Sequence, residues 1–375
     1  MKIDNSTAKT LIGGSSKADS LLNNADNVTI YGYAGNDTIR NSGSRVIIDA
    51  GADKDIIANM GDRVTITGGD GADNISNANE RVSISSGAGN DSISNTSDRV
   101  TIRGEADNDT IYSSGESVKV YGGYGADTIT NIGNNVTISG GYGADYLYNS
   151  GDKVSIFGGS GRDSIICYSG DELTITGGAG SDYIELSYNN TNAVGVIVSG
   201  GTDKDTISNE NMNVTISGGS GNDSIRNTGE NVLIKAGSDN DKIYNYGDNS
   251  SIDGGEGRDT IKNYAADVTI TGGKGNDYIY LTSAAKNNLI QYASGDGNDT
   301  IVGINSDDTL QIAGSYSTTT SGKNIIVNVG ADKIILKNAI NKTVTIESIM
   351  ENKLIAEENF KSEKISQENL ITYAK

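Results

Sequence analysis

The chain repeats itself every 18 residues. Val64-Thr65-Ile66-Thr67-Gly68-Gly69-Asp70-Gly71-Ala72-Asp73-Asn74-Ile75-Ser76-Asn77 is a clear copy: a short β-branched strand, a GGxGxD loop and a second short strand ending in Asn. The loop aspartate returns as Asp37, Asp55, Asp73, Asp91, Asp109, Asp127, Asp145 and Asp163, each 18 positions after the last. A fixed period of this length makes each copy one structural unit stacked on its neighbours, so the chain grows by adding coils and not by enlarging a core. The composition, with 50 Gly, 0 Pro, 0 Trp, 0 His and 35% hydrophobic residues, leaves too little bulky apolar material for anything but a thin interior.

Within a copy the apolar pattern has period two. In Val136-Thr137-Ile138-Ser139 the aliphatics face one way and the hydroxyls the other, and Asp145, Leu147 and Asn149 share the inward side of the second strand. Two strands and two corners make a coil, and coils stack in register. The predicted fold is therefore all-β, a right-handed parallel β-roll or β-solenoid of 18-residue coils with a C-terminal capping β segment. Residues 1–27 read as a degenerate N-terminal cap repeat, with Lys17 where the loop's later Gly belongs. Residues 28–315 read as the solenoid, and 316–375 as a C-terminal cap and secretion tail, with candidate closing strands at 324–329, 333–337 and 343–346. One extra residue near Cys167 moves the next aspartate to Asp182, and an insertion around Asn189-Asn190-Thr191-Asn192 moves the one after to Asp205. The 18-residue spacing resumes through Asp223, Asp241, Asp259 and Asp277, and a last insertion at Ala284-Ala285-Lys286 precedes Asp299. Such insertions belong at one surface corner, where added length costs little.

The formal net charge of −20, from 49 acidic and 29 basic residues, repels nucleic acid and anionic membranes and invites cations. Cys167 is the sole cysteine, which excludes an intramolecular disulfide and a CxxC metal knuckle and reads as a small apolar filler. The first residues carry no apolar signal-peptide core, and 18 apolar residues never run together, so neither an N-terminal signal peptide nor membrane insertion is expected.

The GGxGxD loop suits a hard cation. Glycines let the backbone turn carbonyl oxygens toward one point, and the aspartate adds charge; oxygen-only ligation is the preference of calcium. Stacking places one loop over the next, so a cation between coils can be held by carbonyls and carboxylates from both. The need for one follows from the thin core, because the aliphatic side chains of a coil offset too little of the entropy of ordering 18 residues, and the aspartate row adds like-charge repulsion. The expected ligands of multiple calcium ions are Asp37, Asp55, Asp73, Asp91, Asp109, Asp127, Asp145, Asp163, Asp182, Asp205, Asp223, Asp241, Asp259, Asp277 and Asp299, with Gly69, Gly71, Gly123, Gly125, Gly141, Gly143, Gly159, Gly161, Gly178, Gly180, Gly219, Gly221, Gly273 and Gly275.

Loops that match the motif in full include Gly122-Gly123-Tyr124-Gly125-Ala126-Asp127, Gly158-Gly159-Ser160-Gly161-Arg162-Asp163 and Gly218-Gly219-Ser220-Gly221-Asn222-Asp223. This array resembles the RTX family of calcium-binding repeat proteins exported through type I secretion, over roughly residues 28–303. The resemblance implies calcium between successive loops, a chain that folds outside the cell, and an uncleaved C-terminal export signal. Two departures stand out. The second corner reads like Asn59-Met60-Gly61-Asp62-Arg63, so one calcium row is expected instead of two. Asp53, Asp107, Asp203 and Asp239 replace the later loop Gly, either as added ligands or as occupants of a left-handed turn.

Other rows have plainer roles. Asn41, Asn59, Asn77, Asn95, Asn131 and Asn149 form a structural amide ladder, and Arg45, Arg63, Arg81 and Arg99 form a solvated charge row. With no His, no paired nucleophile and base, and no phosphate loop before a helix, catalysis finds no support. The expected function is calcium binding by a secreted, structural or surface-interacting solenoid that is not an enzyme, with a cell-surface or glycan ligand as candidate partner. Exposed tyrosines Tyr112, Tyr146, Tyr148, Tyr244, Tyr278 and Tyr280 suit sugars, which leaves open a non-catalytic adhesion module of a toxin or polysaccharide-modifying enzyme. Outward Thr65, Thr67, Thr174, Thr176, Thr269 and Thr271 raise an ice-binding alternative, although Tyr31, Asp49, Arg103, Phe157 and Lys235 interrupt that face.

Overall fold

A computed structural model describes residues 1–5, 10–187 and 194–349. The Asn189 to Asn192 insertion and the tail from Glu351 lie outside the described residues. The chain forms two compact units, Met1–Ile243 and Tyr244–Lys375.

In the first unit every regular coil is a six- or seven-residue strand, a glycine-rich loop, a four-residue strand and a second corner. Thr65–Asp70 and Asn74–Asn77 are one such pair. The β-branched residues supply strand preference, and glycine or αL residues end each strand. All pairing between coils is parallel and in register at the repeat: Ile66 lies beside Ile84, and Ile75 beside Ile93. One sheet stacks the long strands and the other the short ones. Because the register equals the period, each side chain stacks on its own repeat equivalent. Val64, Val82 and Val100 form one interior column, Ile66, Ile84 and Ile102 a second, and Ile75, Ile93 and Ile111 a third, all at 0–2% exposure. The interior is three aliphatic columns thick, as the composition requires.

The strand Lys2–Asn5 pairs in parallel with Ser20–Asn23 and extends the short-strand sheet. It precedes any glycine loop, so no repeat signal marks it.

The second unit uses the same coil, with Thr269–Gly275 and Tyr278–Leu281 as a representative strand pair. Its insertion at Ala285 falls at the second corner, where the Ala285 amide bonds back to the Thr282 carbonyl at 3.1 Å. The closing segment then changes direction. Ser317–Ser321, Asn324–Val329 and Asp332–Lys337 form an antiparallel ribbon whose last strand pairs in parallel with Asn298–Val302. Thr345–Ile349 pairs in parallel with Thr309–Ala313. The expected closing strands are present, with edges shifted by one to three residues.

Candidate metal centre

The loop corner gathers the aspartate row into the interior. The inward phase slips by one residue across the loop, from Ile66 and Gly68 to Asp73, Ile75 and Asn77, so Asp37, Asp55, Asp73, Asp91, Asp109, Asp127, Asp145, Asp163, Asp182, Asp205, Asp223 and Asp241 of the first unit, and Asp259, Asp277 and Asp299 of the second, are all buried to within 2% exposure. Each is bonded to the coil before it. The Asp37 amide donates to Asp55 Oδ1 at 2.7 Å, Asp109 to Asp127 Oδ1 at 2.8 Å, and Asp182 to Asp205 Oδ1 at 2.8 Å. In the second unit Asp259 donates to Asp277, and Asp277 to Asp299, at 2.8 and 2.9 Å. One carboxylate oxygen per coil is thereby satisfied.

The other is not. Oδ2 of Asp37, Asp55, Asp73, Asp109, Asp127, Asp145, Asp163, Asp182, Asp205, Asp223 and Asp277 is buried with no hydrogen-bond partner. A buried carboxylate with an unbonded oxygen is costly, and a row of them more so. Burial is the main reason that Asp109, Asp145 and Asp205 are pushed up to about 7, and Asp73, Asp182 and Asp223 to about 6; like-charged aspartates nearby add to the rise, while the amide of the preceding coil opposes it. Asp299 is raised furthest, to about 8, for the same first reason.

The surroundings of that oxygen are made by glycine. A Cβ built on Gly122 would collide with both Asp127 Oδ2 and the Gly140 carbonyl of the next coil, and Gly104, Gly140, Gly177 and Gly200 repeat this arrangement with Asp109, Asp145, Asp182 and Asp205. In these coils a carboxylate oxygen of one coil and a carbonyl oxygen of the next therefore converge on a space that glycine leaves open, whereas Ala50, Ser86 and Ala236 stand at the equivalent position of three other coils. These first loop glycines fall outside the expected ligand set, although Gly68 is in inward phase with Ile66, which is the signal that identifies them. The expected ligand glycines lie one or three positions later. Gly69 and Gly71 take φ of +114° and +138°, conformations that side-chain-bearing residues rarely adopt, and their place at the stacking contact leaves no room for a Cβ against Gly51 and Asp53. Gly123, Gly141, Gly159, Gly178 and Gly219 repeat the first of these geometries.

Among the described residues no three carboxylates, imidazoles or thiolates converge. A cation in this row would take carbonyl oxygens together with Asp Oδ2, a hard all-oxygen donor set of the kind calcium accepts. Asp53, Asp107, Asp203 and Asp239 all have φ between +73° and +80°, so they occupy the left-handed turn. Two of them also hold the stack, Asp53 Oδ2 accepting the Gly35 amide at 2.9 Å and Asp239 Oδ2 the Gly221 amide at 3.1 Å.

The second corner is chemically closed. Asn59 Nδ2 donates to Asn77 Oδ1 at 2.8 Å and to the Gly61 carbonyl at 2.9 Å, while its Oδ1 accepts from Asn41 Nδ2 at 2.8 Å and from the Gly61 amide at 3.1 Å. Both amide protons and the carbonyl of such an Asn are spent, and the pattern runs from Asn23 to Asn95. Ser113, Cys167 and Leu186 interrupt the column farther on. Outside it, the exposed Arg81 pairs with the half-buried Asp62 and Glu80, and the exposed Arg99 with Glu80, as a surface charge row should.

Comparison with known proteins was made on this chain's sequence and fold. The family model of the RTX calcium-binding nonapeptide repeat matches residues 13–45, 85–117, 103–131, 174–187, 217–252, 227–261, 253–283 and 293–311. A search of curated proteins returned no match. Among solved structures, a hyperactive, Ca2+-dependent, β-helical antifreeze protein from an Antarctic bacterium aligns at 18% identity over 81% of this chain and 83% of that one, with a TM-score of 0.37. The extracellular lipase LipA from Serratia marcescens aligns at 14% identity over 54% of this chain and 37% of that one, with a TM-score of 0.24.

Proposed function

Because the chain carries RTX calcium-binding nonapeptide repeats, we propose that it is a secreted protein whose solenoid folds as calcium fills the loop row, and that it serves a structural or surface-interaction role without catalysis. The observation that carries this is the file of buried Asp Oδ2 atoms without a hydrogen-bond partner, which at Asp109, Asp127, Asp145, Asp182 and Asp205 face a glycine-lined space beside a carbonyl of the next coil. Asp Oδ2 and the loop carbonyls would hold the ions, several per chain and in one row, since the Asn corner has no acceptor left to offer. When bound, calcium supplies positive charge between carboxylates that otherwise repel. Export by type I secretion is part of the proposal and rests on the repeat family. Among the described residues no helix is long and apolar enough to cross a membrane.

Circular dichroism of the whole chain in calcium and in EGTA tests it. The β spectrum should collapse on chelation and return on calcium addition; a spectrum indifferent to EGTA overturns the proposal.

A further inference from the structure

Outside the buried carboxylate row, the residues just before and just after each aspartate face solvent at the loop corner. In most coils of the first unit they are small, such as Ala72 with Asn74 or Ala126 with Thr128. One place differs. Arg162, Ser181 and Lys204 precede the aspartates of three successive coils, and Tyr183 follows the middle one, in register between Ser164 and Thr206. Arg162, Ser181, Tyr183, Lys204 and Thr206, with the buried Asp182 beneath them, line a concavity of about 330 Å³.

Its chemistry is unusual for this chain. The protein carries a formal charge of −20, yet Arg162 and Lys204 form no ion pair among the described residues. Two coil spacings of about 4.8 Å set them roughly 10 Å apart, on either side of the coil that bears Tyr183. Two acids beside the concavity are already engaged, Glu185 accepting the Tyr183 hydroxyl at 2.6 Å and Asp203 Oδ2 the Thr202 hydroxyl at 3.5 Å, while Asp163, Asp182 and Asp205 are buried in the interior row. Tyr183 is 39% exposed, so part of its ring is open to a ligand.

An inorganic anion would use the cations and not the ring. A neutral sugar would use the ring and leave both cations uncompensated. A carboxylated pyranose uses all three, its C–H face against the phenol and its carboxylate toward the guanidinium or ammonium group. We propose that Arg162, Tyr183 and Lys204 form a binding site for a uronate-type sugar residue of an acidic polysaccharide. This rests on the surface-interaction part of the proposed function and does not require calcium in the row. The second unit holds a smaller counterpart of about 280 Å³, lined by Arg258, Tyr278, Asn298 and Thr300 among others. There Asn298 stands where the first pocket has Lys204, so it lacks the paired cations and serves as an internal control.

The test is calorimetric titration of the whole chain, in calcium, with a glucuronate-containing tetrasaccharide and with its carboxyl-reduced counterpart. The acidic form should bind, and the reduced form should bind up to about fivefold more weakly, as loss of one exposed charge contact predicts. Arg162→Gln combined with Lys204→Gln should weaken the acidic form by a similar factor or more. Tyr183→Ser, which installs the residue type already present at Ser164, should abolish binding, while Tyr278→Ser should leave it unchanged. Dichroism of each variant, matched to the parent, separates lost recognition from lost folding. Absence of binding by the parent, equal binding of the reduced sugar, or full binding by the double variant overturns the assignment. Sugar binding by a chain that ignores EGTA would keep this site and overturn the calcium proposal instead.

Discussion

At the scale of single residues, the aspartate row is a set of charges placed where charge is costly. Asp145 and Asp205 titrate near 7 and Asp73 and Asp182 near 6, against an ordinary value of 3.8, chiefly because they are buried. A folded-state pKa above the unfolded one favours folding while the group is protonated. That contribution is complete below about pH 4 and is lost as pH climbs through 6 and 7. In EGTA the β spectrum should therefore be stronger at pH 5 than at pH 8, and an opposite trend would contradict the burial seen here. Asp127→Asn separates the two states of the row. It keeps the acceptor for the Asp109 amide and removes the buried charge, so it should strengthen the residual β signal in EGTA and lower the stability measured by urea unfolding in calcium by about 1 kcal/mol.

At the scale of the coil, the two corners do opposite things with the same spacing. The Asn corner satisfies itself, whereas the Asp corner leaves one carboxylate oxygen over in turn after turn, as at Asp109, Asp127, Asp145 and Asp163. Asn59→Ala removes an acceptor from Asn41 and from the Gly61 amide. It should cost about 1–3 kcal/mol, with no change in the number of calcium ions measured by titration; a drop in that number would place a cation at this corner. Much of the coil is legible in the sequence. Period two puts Val64, Ile66 and Ile75 inside, and the 18-residue repeat puts like over like. The bond from each Asp amide to the carboxylate of the following coil is not legible, because it depends on how far one backbone sits from the next and no residue type marks it. The left-handed turns at Asp53 and Asp239 are open to two readings for the same reason: only backbone angles separate a ligand from a turn former. The strand Lys2–Asn5 is invisible to pattern because pairing with Ser20–Asn23, and not its own composition, makes it a strand.

At the scale of the whole chain, stability is collective. Each coil touches mainly its neighbours, so charge left unneutralised in one place weakens the turns on either side. Magnesium at equal concentration should not replace calcium in restoring the β spectrum after EGTA. It demands near-octahedral geometry and parts with its water reluctantly, which a carbonyl-lined, irregularly spaced row does not suit. Equal recovery in magnesium would mean that general charge screening suffices.

The Asp amide bonds carry one more consequence. In every one of them the donor belongs to the earlier coil and the acceptor to the later one, and the Asn column runs in the same sense. Each unit is therefore polar along its stacking direction, like a zip whose teeth all lean one way. A turn added on the C-terminal side must bring a carboxylate, and one added on the N-terminal side must bring an N–H. The two faces of a coil are not interchangeable, so a repeat inserted upside down would meet donor with donor and could not be taken into the stack.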